Sequence, residues 1–362
     1  MRGKPGTPSG VPSDVIPVRE GEEFDPGRLA EYLKGRLEGG DGPLEVLQFP
    51  GGHANLTYLL VLGKHEYVLR RPPMGPVAKS SHDMGREYRV LSVLYRVFPY
   101  APRAFLYCED DAVIGAPFFV MQRKKGRVVR NQVPDEFGGG KDPKVNRILS
   151  EVLIDTLVEL HAVDYASIGL EGLGKPEGFM ERQVSGWSGR YDRAMTKEIG
   201  YVKDLTGWLG DKLPMPQDSV LLHNDWRLDN MMVAPEDPSQ VVAVFDWDMC
   251  TLGDPLADLG CLMSLWFQEG EGLGAMSAMP SDVPGFMTRK GAIERYGEKS
   301  GRDVSKMDFY YVFGLFKIAV VVQQIYYRYA KGQTKDDRFE KFEMGAEYLM
   351  SLAWGHAQGS KL

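Results

Sequence analysis

Cysteine and histidine are both scarce in this chain. Its 362 residues include three cysteines, Cys108, Cys250 and Cys261, and six histidines. An odd cysteine count with no C-x-x-C pair disfavours a disulfide framework and favours a protein of the reducing cytoplasm. The absence of an H-E-x-x-H motif likewise disfavours a zinc hydrolase.

The chain also lacks an excess of basic residues and a long apolar run. A formal net charge of -7 and a pI near 5.5 argue against nucleic acid or an anionic membrane as the main partner, because both require a basic surface. Residues 1–20 contain no apolar core of signal-peptide length, and no later stretch sustains about 18 apolar residues. We therefore expect a protein that is neither exported nor membrane-spanning, with residues 1–24 as a flexible arm.

Apolar material for a core is abundant, since 43% of the residues are hydrophobic and 26% are charged. The first region, residues 25–122, opens with a helical pattern over 25–37, with Asp25 as N-cap and Pro26 in the first turn. One further helix and several strands follow, the last two strands forming a hairpin. The strands are predicted at 44–49, 56–62, 66–70, 104–108 and 112–122, and the helix at 84–98.

Long helical patterns dominate after a predicted hinge at residues 123–127, so that residues 128–362 form a larger second lobe. The helices are predicted at 145–163, 177–208, 255–267, 284–296, 304–330 and 337–354, and strands at 219–222, 231–233 and 241–245. This order predicts an α+β fold of two lobes. An N-terminal antiparallel sheet with one main helix precedes a mostly helical C-terminal lobe.

The strongest chemical signal lies on the loops beside those short strands. The run from His223 to Asn230 has the spacing H-x-D-x-x-x-x-N of kinase catalytic loops, in which the aspartate receives a hydroxyl proton. Asp225 is therefore the candidate catalytic carboxylate. Asn230 and Asp246 offer the oxygen ligands that Mg²⁺ prefers. Asp248 is either a further magnesium ligand or a solvated loop acid.

Two other residues of the loop have less decisive roles. Arg227 stands two residues after Asp225, where it could stabilise charge that develops on a transferring phosphate. An ion pair with Asp229 explains it nearly as well. His223 is better explained as a structural histidine that braces the loop through a backbone hydrogen bond, because Asp225 already fills the acid–base role.

The glycine-containing turn of the first region is a candidate for binding nucleotide phosphates. Gly51, Gly52 and Asn55 join two predicted strands, and glycines let backbone N–H groups approach phosphates closely. A hairpin turn without a ligand fits the same residues.

Three further positions of the first region complete the predicted nucleotide site. Arg70 at a strand end and Glu87 on the next helix match the cation–carboxylate pair of kinases, with arginine in place of lysine. Around Met121, where the last strand of this region ends, main-chain groups could read the edge of an adenine.

Together these residues resemble the aminoglycoside phosphotransferase family, which shares the protein-kinase-like fold with choline kinases and fructosamine kinases. The resemblance covers roughly residues 25–355 and rests on Gly51-Gly52-x-x-Asn55, Tyr67-Val68-Leu69-Arg70-Arg71-Pro72, Arg86-Glu87-Tyr88, Leu160-His161-Ala162-Val163-Asp164, the run from His223 to Asn230, and Asp246-Trp247-Asp248-x-x-x-x-Gly253-Asp254-Pro255. It implies that Asp225 is the base, that Asn230 and Asp246 hold magnesium, and that ATP donates the phosphate.

More narrowly, the strand ending in Arg70 and the motif at His161 look like the phosphotransferase domain fused to some acyl-CoA dehydrogenases. That branch implies a hydroxylated metabolite as acceptor, such as a hydroxyacyl thioester, rather than an antibiotic. Helices over 177–208 and 284–330 should supply the acceptor surface. The aromatic candidates, which would also suit a helical core, are Trp187, Tyr191, Trp266, Phe267, Tyr310 and Tyr311.

Two other functions remain open. Arg70 in place of lysine and the unusual glycine turn motivate a nucleotide-binding pseudokinase or regulatory module, although the retention of Asp225, Asn230 and Asp246 disfavours it. A metal-dependent hydrolase that uses His223 with the two aspartates is weaker still. The sequence identifies neither the acceptor nor the oligomeric state.

Overall fold

The computed structural model describes residues 14–51, 55–74, 83–268, 271, 279–334 and 336–362. By their internal contacts, these residues fall into two compact units. The first unit contains the chain up to Lys125 together with residues 243–248, and the second contains residues 126–242 and 249–362. The change of unit at Lys125 lies inside the predicted hinge. Asp246 and Asp248, expected in the second lobe, group with the first unit.

The first unit is built on a five-stranded antiparallel sheet with the strand order β1-β2-β3-β5-β4. Its strands are β1 (Leu44–Gln48), β2 (Leu56–Leu62), β3 (His65–Arg71), β4 (Ala104–Cys108) and β5 (Phe118–Gln122). Leu62 lies opposite His65 and Leu56 opposite Arg71, so β2 and β3 form a long hairpin. The tight turn between them is possible because Gly63 adopts a φ of +62°.

Two helices of the first unit begin at the aspartates that precede them. The carboxylate of Asp25 accepts the amides of Gly27 and Arg28 at the start of α1 (Pro26–Leu33), as the sequence predicts. Asp83 caps α2 (Met84–Leu94) in the same way. This cap places Glu87 in the first turn of α2, where its side chain is buried.

The second strand predicted here, over residues 112–122, is wrong in its first half, although β4 and β5 do pair antiparallel. Residues Asp111–Ile114 form a short helix, α3, and the strand begins only at Phe118. Asp110 caps this helix by accepting the amide of Ala112, and Gly115 ends it with a φ of +81°. The two capping residues outweigh the strand propensity of the apolar residues between them.

The second unit is mostly helical, as predicted. Its helices are α4 (Pro143–His161), α5 (Phe179–Ala194), α6 (Val202–Asp211), α7 (Pro255–Leu265), α8 (Arg289–Ser300), α9 (Met307–Ala330) and α10 (Phe342–Gly359). Its short strands are β6 (Arg127–Val128), β7 (Val220–Leu222), β8 (Met231–Val233), β9 (Val241–Val244), which ends in the first unit, and β10 (Thr251–Gly253). They form one sheet in the order β6-β8-β9 and a separate pair of β10 with β7.

Residues 177–208 do not form the single helix that their periodicity predicts. The first helix ends at Ala194, whose carbonyl accepts a hydrogen bond from Nε2 of Gln323 at 2.9 Å. Met195 then turns to an extended conformation, with φ -63° and ψ 136°. Because a side chain on α9 occupies the carbonyl, the break depends on tertiary structure that a local pattern does not contain.

Two glycines let α7 and α9 approach each other closely in the core of the second unit. A Cβ added to Gly260 would lie 2.4 Å from the carbonyl oxygen of Tyr310, and one added to Gly314 would lie 2.4 Å from that of Gly260. By length and hydropathy α9 could cross a membrane, yet 67% of its most apolar stretch is buried inside the protein. This burial is typical of a core helix, and α9 packs against α5, α7 and α10 within this unit.

The close contact between α7 and α9 requires that residue 260 have no side chain. We expect Gly260→Ala to lower the free energy of unfolding by about 1–3 kcal/mol or more, because the added methyl group meets backbone that cannot move without shifting a helix. Urea denaturation measures this loss.

Gly355 on α10 provides the matched control, since a Cβ there meets no atom within 4 Å. Gly355→Ala should be neutral or stabilise by up to about 1 kcal/mol, because alanine is the better helix former. Equal stability of Gly260→Ala and the unchanged protein would contradict the close helix packing.

Candidate active site

The H-x-D-x-x-x-x-N run folds back on itself between β7 and β8. A turn of 3-10 helix at Leu228–Asn230 reverses the chain and returns Asn230 to Asp225. The side-chain nitrogen of Asn230 donates to the Asp225 carboxylate oxygen Oδ2 and to the Asp225 carbonyl, both at 2.8 Å. Both amide hydrogens are thus used on Asp225, so the side-chain oxygen of Asn230 is the atom that can accept a cation. The five-residue spacing of the motif thus brings Asn230 into contact with Asp225.

A buried carboxylate on α7 holds the start of this loop. Asp258 is 1% exposed and accepts the backbone N–H groups of His223 and Asn224, each at 2.7 Å. Burial raises its pKa, but the hydrogen bonds from His161 and from the His223 amide outweigh burial and bring the pKa below its usual value. Asp258 is therefore a fixed negative charge beneath the loop.

The peptide group between Asn224 and Asp225 is held at both of its ends. Asn224 has a positive φ of 66°, which is uncommon for a residue with a side chain. The Asp225 N–H donates to Nδ1 of His223 at 3.3 Å, and the Asn224 carbonyl accepts from Nζ of Lys317 on α9 at 3.3 Å. His223 is fully buried. The structure thus confirms that His223 braces the loop through a backbone hydrogen bond.

Asp258 and Lys317 are the two residues of this arrangement that sequence reasoning missed. Both are isolated charges inside strongly apolar helices, and both are buried in the structure. Because charged side chains are rarely buried without partners, a charge in such a helix is a usable signal for a polar contact. Periodicity alone does not reveal what the contact is.

Arg227 lies between the two aspartates that flank it in the loop. Its Nε is 3.4 Å from Oδ2 of Asp225, and its Nη2 is 3.8 Å from Oδ2 of Asp229. Arg130 also pairs with Asp229, at 3.1 Å. Arg227 therefore has the contact with Asp229 that was one alternative, and it lies closer still to the candidate catalytic carboxylate. Its role toward a transferring phosphate stays a prediction.

In the first unit, Arg70 joins two acidic groups that are far apart in the sequence. Its Nε lies 3.2 Å from Oε2 of Glu87, and its Nη2 lies 2.9 Å from Oδ1 of Asp246. The predicted strand–helix ion pair is therefore present. Asp246 adopts a positive φ of 67°, which turns the chain directly after β9. The backbone N–H of Trp247 donates to the Glu87 carboxylate, and the charge of Asp248 acts on both Arg70 and Glu87.

The charge states of this cluster follow from burial and proximity. Burial lowers the pKa of Arg70, but Glu87 and Asp246 more than offset it and raise the pKa above its ordinary value, so the guanidinium stays charged. Burial raises the pKa of Glu87 to about 8, opposed by Arg70 and reinforced by Asp246 and Asp248. A cation that neutralised the two aspartates would favour the ionised form of Glu87.

The remaining predicted residues of the nucleotide site are only partly described. Gly51 is half-buried and Asn55 is buried, and they stand on either side of residues 52–54, so Gly52 lies outside the described residues. Met121 is buried on β5, opposite Val68 of β3. Their predicted roles stay predictions.

Two expectations about the site need comment. The aromatic side chains proposed for the acceptor surface are all buried, at 8% exposure or less, so they belong to the helical core. They are Trp187, Tyr191, Trp266, Phe267, Tyr310 and Tyr311.

Across the described ranges, three or more His, Cys, Asp or Glu side chains nowhere form a group that could hold a metal ion.

Comparisons with known proteins point to one family. The model of the family described as "Phosphotransferase enzyme family" matches residues 45–284. Acyl-CoA dehydrogenase family member 11 of Gallus gallus is 34% identical over 363 aligned residues, which cover 94% of this chain and 45% of that protein. The chain thus spans less than half the length of this curated relative.

Solved structures agree with that family. A Ralstonia eutropha JMP134 protein, provisionally named an aminoglycoside phosphotransferase, matches with a TM-score of 0.79 and 29% identity, covering 94% of this chain and 100% of its own. Aminoglycoside phosphotransferase APH(4)-Ia, solved with ADP and hygromycin B, matches with a TM-score of 0.54 and 13% identity over 91% of this chain and 95% of its own. These likenesses confirm the predicted α+β, protein-kinase-like fold class.

His161, at the end of α4, contacts Asp258 and makes the free energy of unfolding depend on pH. Its Nδ1 is 2.7 Å from the hydroxyl oxygen of Tyr296, and its Nε2 is 3.4 Å from Oδ2 of Asp258. Burial lowers its pKa below the ordinary 6.5, although Asp258 opposes this shift. In the range between the two pKa values, the unfolded chain binds a proton that the folded protein does not.

We therefore expect the stabilising effect of neutral His161 to be complete above about pH 6.5 and to be lost as pH falls through the folded-state pKa. Urea denaturation between about pH 7.5 and about pH 5 measures the free energy of unfolding. His161→Gln should show a weaker decrease with acid than the unchanged protein. The same pH dependence in both proteins would contradict the assignment.

Proposed function

The chain belongs to the phosphotransferase enzyme family, and we propose that it transfers the terminal phosphate of Mg-ATP to a hydroxyl group of a small molecule. The observation that carries the proposal is the carboxylate of Asp225, held by Asn230 on one side and by a braced backbone on the other. A carboxylate fixed in this way can orient a hydroxyl group for in-line attack and take its proton.

The chemistry proposed for the second unit is proton transfer and charge stabilisation. Asp225 accepts a hydrogen bond from the acceptor hydroxyl and receives its proton as the oxygen attacks phosphorus. Arg227, 3.4 Å from Asp225, offers a guanidinium to the negative charge of the transferring phosphate. Phosphoryl transfer depends mainly on positioning and electrostatics, so rigid support of Asp225 matters more than any unusual reactivity.

The residues proposed to bind Mg²⁺ would do so through side-chain oxygen atoms. Asp246 and Asp248 supply carboxylates and Asn230 an amide oxygen, which is the donor chemistry that Mg²⁺ prefers over nitrogen and sulfur ligands. Magnesium would neutralise phosphate charge during transfer. Asp246 is engaged by Arg70 at 2.9 Å, so the carboxylate is already oriented by a neighbouring cation.

The nucleotide-binding role is proposed for the first unit. Arg70, fixed by Glu87, presents a guanidinium that can bind a phosphate through two hydrogen bonds, as lysine cannot. Gly51, Gly52 and Asn55 are proposed to approach the phosphates, and the main chain at Met121 the adenine edge. Support comes from the family and from the APH(4)-Ia structure solved with ADP.

A hydroxylated metabolite, such as a hydroxyacyl thioester, is the proposed class of acceptor. The named relatives are acyl-CoA dehydrogenase family members, which supports an acyl compound more than an antibiotic. Two cations close to Asp225 or to the residue before it, Arg227 and Lys317, also disfavour a polycationic acceptor such as an aminoglycoside.

The proposed roles separate in a binding and turnover experiment on two variants. We expect Asp225→Ala to reduce turnover by at least about 10²-fold with ATP affinity largely unchanged, because the base acts on the transition state. Asp246→Ala should instead weaken the affinity for Mg-ATP, because a metal carboxylate is lost. ATP consumption over hydroxyacyl-CoAs, sugars, amino alcohols and aminoglycosides measures the first effect, and calorimetry with and without magnesium the second.

Asp237→Ala is the control, since Asp237 is a loop acid of the second unit whose side chain, among the contacts described, bonds only to nearby Ser239 and Gln240. It should match the unchanged protein in both assays. Near-normal turnover of Asp225→Ala would remove Asp225 from the mechanism. Tight Mg-ATP binding without turnover on any acceptor would favour the pseudokinase alternative.

A further inference from the structure

We propose that Lys317 is a positioning residue that fixes the peptide group preceding Asp225, and so sets the direction of the catalytic carboxylate. This inference rests on the proposed function for its kinetic consequences. Its structural content, that a buried lysine on α9 determines the loop conformation, stands on the contacts of Lys317 alone.

The burial of Lys317 is the first observation. The residue is 8% exposed and sits in the middle of α9, among phenylalanine, leucine, isoleucine and valine residues. Removing an ammonium group from water costs several kcal/mol unless polar partners replace the water. The groups that contact this ammonium therefore decide why a lysine can be buried at this position.

The partners of the Lys317 ammonium supply that explanation. Nζ donates to the carbonyl of Asn224 at 3.3 Å and to Sγ of Cys261 at 3.5 Å, and it lies 5.8 Å from the ring centroid of Trp187. The thiol is a weak acceptor, and the indole face offers only a cation–π attraction. The loop carbonyl is the one oxygen acceptor among these three, so the hydrogen bond to it is the strongest polar contact of the group.

The hydrogen bond from Lys317 affects Asp225 because the Asn224 carbonyl belongs to the peptide group that precedes Asp225. The C=O of Asn224 and the N–H of Asp225 belong to one peptide group, and Lys317 and His223 hold its two opposite ends. Asn224 is in the left-handed region, which asparagine tolerates better than most residues with a side chain, but still at some cost in free energy. Loss of the Lys317 contact would allow this peptide to rotate toward a more favourable conformation. Rotation changes the direction in which the next side chain, Asp225, leaves the backbone.

Lys317→Met tests the proposal. Methionine keeps the length and apolar packing of the side chain but removes the charge and the donor. We expect kcat to fall about 10- to 100-fold, because small misplacements of a catalytic group cost this much, while KM for ATP changes less than about threefold. Amide hydrogen exchange at Asp225, which needs no acceptor, should become at least about tenfold faster because the peptide is no longer held.

Gln323→Met is the matched control on the same helix. Gln323 is also buried on α9 and donates to a backbone carbonyl, that of Ala194, but it does not touch the loop among its described contacts. This variant should lower thermal stability without changing kcat or the exchange of the Asp225 amide. Similar losses in both variants would show that Lys317 acts only through the integrity of α9, and would overturn the proposal.

The two readouts separate this proposal from the proposed function. Unchanged exchange at Asp225 in Lys317→Met overturns the positioning role whatever the activity. Faster exchange in a protein that turns over no acceptor supports the positioning role and contradicts the phosphotransferase proposal. Faster exchange with kcat unchanged would show that the loop tolerates the movement, and would overturn the link from Lys317 to catalysis.

Discussion

The candidate active site depends on the hydrogen bonds that one buried carboxylate, that of Asp258, accepts from the loop. It accepts the amides of His223 and Asn224 at 2.7 Å, so a fixed negative charge takes the place of secondary structure at the point where β7 ends. Burying such a charge is costly, and the cost is offset because the side chain is surrounded by donors. His161, itself 2.7 Å from the hydroxyl of Tyr296, adds to them. Residues of α4, α7 and α8 thus converge beneath one loop.

The helices that carry these residues are themselves held by a small number of specific contacts. Asp254 caps α7 by accepting the amide of Leu256, and it also accepts a hydrogen bond from the hydroxyl of Tyr310 on α9 at 2.5 Å. The close approach at Gly260 and Gly314 fixes the same pair of helices. Because α7 carries Asp258 and α9 carries Lys317, the packing of one helix pair positions both residues that support the loop. The first unit uses a comparable device, in which the buried carboxylate of Glu87 receives the Trp247 amide and pairs with Arg70.

Much of this arrangement is predictable from sequence wherever the cause is local. The cap at Asp25, the strand Leu56–Leu62 and the H-x-D-x-x-x-x-N loop follow from neighbouring residues. The structure shows the cap and the strand where they were expected and the loop as a closed turn, although α1 ends at Leu33 and not at residue 37. The Arg70–Glu87 pair was also expected. One prediction failed although its cause is local, since Asp110 and Gly115 cap a short helix where a strand was expected. Another failed where a distant residue takes part, at Ala194, whose carbonyl accepts a hydrogen bond from Gln323. The roles of Asp258 and Lys317 were missed for the same reason, since each is defined by a contact across the fold.

The central claim is that Asp258 serves catalysis only by holding the loop that carries Asp225, and a double-mutant cycle on turnover tests it most directly. The proteins compared are the unchanged chain, Asp258→Asn, Asp225→Ala and the double variant, assayed on one acceptor. The account predicts that Asp258→Asn alone reduces kcat by about 10-fold or more, and that the double variant is no slower than Asp225→Ala. Losses that multiply in the double variant would contradict the account, because Asp258 would then act independently of Asp225.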